Sequence, residues 1–136
     1  MKKYVLLINI LLSFQFAIAT TYFVSTTGSN SNIGTTDEQP FLTLDYAVKK
    51  MVAGDTILMH GGIYKNAVTI SLSQTGSNNK KYNLLAYPGE TPILDFSGTA
   101  FGKRGINLTG SYWVINGLHL TLAGDNGMII STGGYN

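Results

Sequence analysis

A carboxylate and an amide stand side by side in the turn formed by residues 124–127, where Asp125 and Asn126 lie between two glycines. Such a pair at a corner of the fold could bind a sugar hydroxyl or contribute oxygen ligands to calcium. The alternative is an Asx turn, in which the side chains bind their own backbone. Because calcium takes about six to eight oxygen ligands, one carboxylate does not complete a calcium site. We therefore interpret Asp125 and Asn126 as candidate substrate-binding residues and predict no metal ligand and no catalytic residue.

Trp113, the single tryptophan, is the third candidate for substrate binding. An indole ring can stack on a sugar ring, and Tyr112 beside it could do the same, but a tryptophan inside a strand more often packs in the core. The two histidines, His60 and His119, stand apart without metal-ligand spacing, and there is no cysteine. These features exclude a thiolate metal site and a cysteine nucleophile. We interpret His60 as a turn residue and His119 as an outward-pointing strand residue.

Four other polar residues are given structural roles. Asp55 follows a glycine and is expected to tie the end of a helix to the next strand, and Asp95 is expected to cap a turn. Asn107 and Asn116 interrupt apolar segments on what we predict to be successive turns of a repeat. We expect them to stack as an asparagine ladder in preference to binding sugar.

The amino-terminal segment has the pattern of a secretory signal peptide over residues 1–19. It begins with Lys2 and Lys3, continues with a mostly apolar run, and ends with small residues before a predicted cleavage after Ala19. A membrane anchor is the alternative, but the apolar run is short and contains polar residues. We therefore predict a secreted protein (periplasmic, cell-surface or extracellular) with no membrane association after the leader is removed.

Charge and composition limit the classes of partner. The chain has 9 basic and 7 acidic residues, and two of the basic residues are in the predicted leader, so the mature chain is formally neutral. Neutrality argues against a nucleic-acid-binding protein, which needs a basic face. The pairs Lys80-Lys81 and Lys103-Arg104 fit solvated turns, although either could contact an anionic polymer. The oligomeric state is left open.

One amphipathic helix is predicted after Pro40. Leu44, Ala47, Val48 and Met51 are spaced so that they share one helix face, and Thr43 is a suitable N-cap. We expect this helix to cover the end of the fold. Residues 20–54 would then form an amino-terminal strand, a loop and a capping helix.

Short strands separated by turn residues are predicted from Asp55 to the end of the chain. Their expected ranges are residues 56–59, 67–72, 83–87, 93–96, 105–108, 112–115, 118–122 and 128–131. A β-sandwich would also suit such strands. Two sets of apolar positions recur about every 22 residues, however, and this favours a stacked coil. The two sets are Leu84, Ile106 and Met128, and Ile70, Ile93 and Ile115. We predict an all-β fold, a right-handed parallel β-helix whose first coils are residues 55–136 and which is incomplete at its carboxyl-terminal end.

A family resemblance extends over almost the whole predicted mature chain. The chain resembles secreted right-handed β-helix proteins, and most closely the pectate lyases of polysaccharide lyase family nine, the pectate lyase L type. The matching segments include Tyr22-Phe23-Val24-Ser25, Pro40-Phe41, Gly54-Asp55-Thr56-Ile57, Gly62-Ile63-Tyr64, Ala86-Tyr87-Pro88-Gly89-Glu90, Pro92-Ile93-Leu94-Asp95, Gly110-Ser111-Tyr112-Trp113 and Gly124-Asp125-Asn126-Gly127.

The resemblance implies cleavage of polygalacturonate, an acidic plant polysaccharide, by β-elimination. It also implies calcium bound by aspartates and a lysine that acts as the base. We expect those residues on coils beyond Asn136, so that residues 20–136 alone would be inactive. The alternatives are a non-catalytic exported β-helix that binds carbohydrate, and a β-helix enzyme that acts on another uronate such as alginate.

Overall fold

The computed structural model describes residues 18–131. Almost all of the predicted leader lies outside this range, so its assignment as a signal peptide stays a prediction. No helix within residues 18–131 is long and apolar enough to cross a bilayer.

The fold is one leading strand followed by three coils, each of which contains three strands. The leading strand is β1 (Thr21–Val24). The first coil contains β2 (Thr56–Met59), β3 (Gly62–Lys65) and β4 (Ile70–Leu72); the second contains β5 (Tyr82–Ala86), β6 (Pro92–Asp95) and β7 (Ile106–Leu108); the third contains β8 (Trp113–Asn116), β9 (His119–Thr121) and β10 (Met128–Ile130).

Strands in the same position of successive coils pair side by side and form three sheets. Sheet A has the order β1-β2-β5-β8, sheet B has β3-β6-β9, and sheet C has β4-β7-β10. Every pairing between these strands is parallel. This arrangement confirms the predicted parallel β-helix and excludes the β-sandwich, in which neighbouring strands run antiparallel.

The interior is built from stacked apolar side chains. In sheet A, Ile57 pairs with Leu84, which pairs with Ile115, and in sheet C, Ile70 pairs with Ile106. Ile57, Leu84, Ile70 and Ile106 are almost fully buried. Since side chains alternate across each strand, the apolar residues between the sheets form a continuous core, and polar residues lie outside.

The 22-residue register predicted from the sequence is right for one step, from Ile106 to Met128, and wrong for the others. Leu84 lies in sheet A, whereas Ile106 and Met128 pair in sheet C. Ile70, Ile93 and Ile115 lie in three different sheets. Paired positions in sheet C are 36 residues apart from Ile70 to Ile106, but 22 apart from Ile106 to Met128. The turns between strands differ in length, so a constant interval along the sequence does not identify stacked positions.

The sequence does not predict strand β3 (Gly62–Lys65), because Gly61 and Gly62 at its start are typical of a turn. Gly62 begins the strand with φ 134, a backbone conformation that a residue with a side chain rarely adopts. Within β3, Tyr64 is buried and Ile63 is exposed. A single inward residue gives too little alternation to mark a strand in the sequence.

Helix α1 (Leu44–Val48) begins as predicted, because the hydroxyl of Thr43 accepts a hydrogen bond from the Tyr46 backbone N–H. It ends earlier than the apolar pattern suggested, yet Met51 is buried with the three apolar residues of the helix. The helix contacts β1, β2 and β4, at the amino-terminal end of the coils. It therefore covers the core at this end, as predicted.

The free edge of β1 is covered by the loop between β1 and helix α1, and not by the helix itself. The Phe23 N–H donates to the carbonyl of Gly34, the Phe41 N–H donates to the carbonyl of Phe23, and the Ser25 N–H donates to the carbonyl of Phe41. These bonds satisfy backbone groups that an open strand edge would leave available for pairing with another chain.

Candidate functional site

Trp113, predicted as a possible sugar platform, is a core residue. Its side chain lies on the inner face of sheet A and is 4 % exposed. The ring stacks on Tyr82 with ring centres 4.8 Å apart, and its Nε1–H donates to the Gln74 carbonyl at 2.8 Å. Because one face and the polar edge of the ring are occupied, the geometry supports packing and gives no support to sugar stacking.

Asp125 and Asn126 lie on the exposed turn between β9 and β10. The Asp125 carboxylate is 4.0 Å from the Arg104 guanidinium of the preceding coil. The Asn126 carbonyl accepts a hydrogen bond from the Gly105 N–H at 3.0 Å. The Asp125 side chain and the Asn126 backbone therefore link two successive coils. Trp113 lies on the inner face of another sheet, so the three candidates do not form one site.

The two structural aspartates behave as the sequence predicted. Asp95 accepts a hydrogen bond from the Ser97 N–H at 2.8 Å, and this bond lowers the pKa of Asp95. Asp55 accepts from the Val52 N–H, after the helix, and from the Thr20 N–H, before β1. Both carboxylates therefore stabilise turns.

The predicted asparagine ladder is wrong. Asn107 lies in sheet C, where it pairs with Ser71 and Ile129. Asn116 lies in sheet A and pairs with Leu85. Because the turns differ in length, residues that appeared equivalent in the sequence belong to different sheets and cannot stack.

The densest polar contacts surround His60, in the turn between β2 and β3. We call Asp37, His60, Tyr87 and Glu90 the histidine cluster. The Nε2 of His60 is 2.6 Å from Asp37 Oδ1, and its Nδ1 is 3.3 Å from Glu90 Oε1. The imidazole stacks on the Tyr87 ring with centres 4.3 Å apart. Its side chain is 18 % exposed, so it is held between two carboxylates and an aromatic ring.

The repeat brings this cluster together. His60 directly follows β2, and Tyr87 directly follows β5, which is the next strand of sheet A. Glu90 precedes β6, and its second oxygen accepts a hydrogen bond from the Gly61 N–H at 2.6 Å. Asp37 comes from the loop that covers β1, and it also accepts a hydrogen bond from the Tyr87 hydroxyl at 3.1 Å. The cluster therefore joins the loop to the first two coils.

Hydrogen bonding shifts two pKa values in the cluster. The Gly61 N–H, with a smaller contribution from His60, lowers the pKa of Glu90. The hydrogen bond to Asp37 raises the pKa of Tyr87. The two shifts favour the charged form of Glu90 and the neutral form of Tyr87.

The chemistry open to the cluster is limited. Both ring nitrogens of His60 face carboxylates of the protein, so neither is directed at a substrate. Within residues 18–131, no three side chains of His, Asp or Glu are arranged to hold a metal ion. The calcium site that the family resemblance implies is expected on coils beyond Asn136 and stays a prediction. The cluster instead links the loop that contains Asp37 to the first two coils.

Sequence reasoning treated His60 as a turn residue and missed this cluster. A signal was present: His60-Gly61 and Tyr87-Pro88-Gly89-Glu90 each follow an apolar strand segment. Recognising them as the same corner of successive coils required the register, which the 22-residue interval misassigned.

A second surface of interest is the corner between sheets B and C. We call Val68, Phe101, Lys103 and Arg104 the aromatic–basic patch. Phe101 is 98 % exposed and Val68 is 66 % exposed. Val68 and Lys103 line a shallow groove of about 380 Å³ with four neighbours of the same two turns, Ala67, Thr69, Thr99 and Ala100. Lys103 has no ion-pair partner among the described residues.

The backbone beneath the patch is fixed. The Lys103 N–H donates to the Ala100 carbonyl, which closes a tight turn with Phe101 at its tip. Gly102 has φ 75, and the turn favours glycine there. The Thr69 hydroxyl donates to the Arg104 carbonyl at 2.7 Å and ties the turn to the preceding coil. Because an exposed ring can stack on the apolar face of a sugar and cations attract carboxylates, the patch has the chemistry to contact an acidic polysaccharide.

The fold and these surfaces define a parallel β-helix protein with turns of unequal length. The model of the Pel9A-like right-handed β-helix region matches residues 22–136. The chain therefore belongs to the Pel9A-like right-handed β-helix family.

Relatives agree with this assignment. The chain is 42 % identical over 97 residues to pectate lyase L of Paenibacillus polymyxa, a match that covers 68 % of this chain and 21 % of the relative. It is 36 % identical over 119 residues to pectate lyase L of Thermoclostridium stercorarium, covering 84 % of this chain and 9 % of the relative. A solved rhamnogalacturonan lyase is similar with a TM-score of 0.66 and 26 % identity, covering 75 % of this chain and 28 % of that structure. The chain thus spans about a fifth or less of the length of these two pectate lyases.

Proposed function

We propose that the chain is the amino-terminal portion of an exported polysaccharide lyase that cleaves pectate (polygalacturonate) by β-elimination. The observation that carries this proposal is the match of residues 22–136 to the Pel9A-like family, together with 42 % identity to a pectate lyase L. The contribution of residues 18–131 would be to begin the β-helix and to present the aromatic–basic patch to the polymer.

Calcium belongs to the proposal through the family resemblance alone. As a hard cation, calcium would bind carboxylates of the substrate and of the protein and make the reacting proton more acidic. The described residues contain no cluster that could hold it. We therefore assign no calcium ligand and no catalytic base within residues 18–131.

The test is expression of the complete protein that the gene encodes, with and without calcium, on polygalacturonate. We expect unsaturated products that absorb in the near ultraviolet, and we expect a chelator to abolish their formation. Residues 20–136 expressed alone should release none. No product from the complete protein would contradict the proposal, and activity unaffected by a chelator would contradict the calcium requirement.

Rhamnogalacturonan is a second candidate substrate, favoured by the structural similarity to a rhamnogalacturonan lyase. The same assay on rhamnogalacturonan and on alginate separates the three polymers. Binding to one of them without product would favour the alternative of a non-catalytic carbohydrate-binding β-helix.

A further inference from the structure

Asp55 is the only buried charged residue among residues 18–131. It is 1 % exposed, and its two oxygens accept hydrogen bonds from two backbone amides, those of Thr20 and Val52, each at 2.8 Å. No lysine, arginine or histidine of the described residues lies within ion-pair distance of it. Burying a carboxylate without a nearby cation costs folding free energy. The lack of a positive charge beside Asp55 therefore needs an explanation.

The residue that donates to Asp55 Oδ1 has a special position in the sequence. Thr20 directly follows Ala19, after which the small-residue pattern predicts cleavage of the leader. Ile18 and Ala19 are exposed and lie outside any strand, and β1 begins only at Thr21. The carbonyl of Thr20 also accepts a hydrogen bond from the Thr56 N–H at 2.9 Å. A cut before Thr20 would leave every described strand intact.

We propose that Thr20 is the first residue of the mature protein and that its α-ammonium group forms a partly buried ion pair with Asp55. Removal of the leader converts a neutral amide donor into a cation at the same position. The mature amino terminus supplies the charge that Asp55 lacks, and the ion pair fixes the start of β1 against the segment that joins helix α1 to β2. This inference does not depend on the substrate of the enzyme.

The ion pair predicts a specific pH dependence. A free α-amino group has a pKa of about 7.7–8.0, and a partnering carboxylate raises it. A group with a raised pKa stabilises the fold fully below its unfolded value, and this stabilisation is lost as the pH rises through the folded value. The other titratable groups nearby are Tyr22, Tyr82 and Lys50. Burial raises the pKa of both tyrosines above the usual tyrosine range, so the α-amino group titrates before either of them.

The experiment compares two forms of the complete protein that differ by one residue. One form begins at Thr20, released from an amino-terminal fusion by a protease that leaves no extra residue. The other begins at Ala19, so Thr20 keeps its amide hydrogen bond but carries no charge. We expect the Thr20 form to melt a few degrees higher at about pH 6, and we expect the difference to disappear by about pH 9.5.

Two further measurements complete the design. Mass spectrometry of the exported protein should show Thr20 as the first residue. Asp55→Asn should remove the difference between the two forms, and acetylation of the Thr20 amine replaces this test if that variant does not fold. A mature protein that begins at another residue, or equal melting of the two forms at both pH values, would overturn the proposal.

Discussion

Two corners of the β-helix are built in opposite ways. At the corner between sheets A and B, the histidine cluster engages both nitrogens of His60 with carboxylates and stacks its ring on Tyr87. At the corner between sheets B and C, Phe101 is almost fully exposed, and no described carboxylate pairs with Lys103. The polar side chains of the first corner bind one another, whereas the aromatic and basic side chains of the second corner face the solvent.

The comparison shows why residue type alone does not identify a functional site. Histidine, aspartate and glutamate are the residues usually considered for catalysis, yet here they satisfy one another and bind a loop to the coils. Phenylalanine and lysine are less often considered for such a role. Here Phe101 is almost fully exposed and Lys103 has no ion-pair partner among the described residues, so both are available to a ligand. The two corners should therefore respond to mutation in opposite ways.

The largest expected effect is on stability at the histidine cluster. His60→Ala removes two charge-assisted contacts and an aromatic stack, and should lower the free energy of unfolding by about 1–3 kcal/mol. Chemical denaturation of the complete protein measures this loss. The matched control is His119→Ala, because His119 is exposed on β9; it should change stability by less than about 0.5 kcal/mol. Equal effects of the two substitutions would mean that the histidine cluster does not stabilise the contact between the loop and the coils.

The aromatic–basic patch should show the reverse behaviour. Phe101→Ala with Lys103→Ala should weaken binding to polygalacturonate by about tenfold, and the unfolding free energy should change by less than about 0.5 kcal/mol. Affinity electrophoresis in gels containing the polymer measures the binding. The charge control is Lys80→Ala with Lys81→Ala, a basic pair on another turn. Phe101→Leu separates stacking from apolar area.

The outcomes of that experiment are distinct. If the control pair weakens binding as much as the patch variant does, attraction depends on net charge and not on this surface. If a non-sugar polyanion binds as well as polygalacturonate, the aromatic ring has no part in recognition.

Much of the fold could be predicted from local patterns, because short strands and the amphipathic helix leave local signals. Nine of the ten strands, the N-cap at Thr43 and the buried helix face were predicted. The pairing of strands could not be predicted, because it depends on turn lengths that vary from coil to coil. Ile106 and Met128 were correctly placed in one sheet, whereas Leu84 was placed in the wrong one.

The candidate site was harder to predict for the same reason. Asp95 acts on a residue close in sequence, and one oxygen of Asp55 binds just after a visible helix end, so these roles could be inferred. The bond between Asp55 and Thr20 spans 35 residues and could not be inferred. His60 and Glu90 are 30 residues apart and meet only through the stacking of coils. The exposure of Phe101 could not be predicted either, since an aromatic residue in a turn segment is as compatible with packing as with solvent.

The next effect concerns alkaline pH at the histidine cluster. The Tyr64 hydroxyl lies inside the coil, where its single proton is within hydrogen-bond distance of two carbonyls, that of His60 at 2.7 Å and that of Val24 at 3.1 Å. Burial, with a contribution from Glu90, raises the pKa of Tyr64 to about 12. Because the folded pKa lies above the unfolded value of 10.0, this contribution to stability is complete below pH 10 and is lost as the pH rises towards 12.

Tyr64→Phe should therefore lower stability at neutral pH by about 1 kcal/mol and make it fall less steeply above pH 10. Thermal melting between neutral and alkaline pH measures both quantities. Tyr46→Phe is the comparison variant, since Tyr46 is only half-buried. If the stability of the Tyr64 variant falls above pH 10 as steeply as that of the unchanged protein, this tyrosine does not support the cluster.

The smallest expected effect decides the role of Asp125. Its carboxylate and the Arg104 guanidinium are 4.0 Å apart and both about half exposed, a geometry worth no more than about 0.5 kcal/mol. Asp125→Asn should thus leave stability nearly unchanged. It also removes a negative charge beside the aromatic–basic patch and frees Arg104, so binding to polygalacturonate should strengthen slightly, by about twofold. If Asp125 were instead a ligand for calcium or for a sugar hydroxyl, the same substitution would weaken binding. The direction of the change therefore separates a residue that restrains Arg104 from a residue that contacts the substrate.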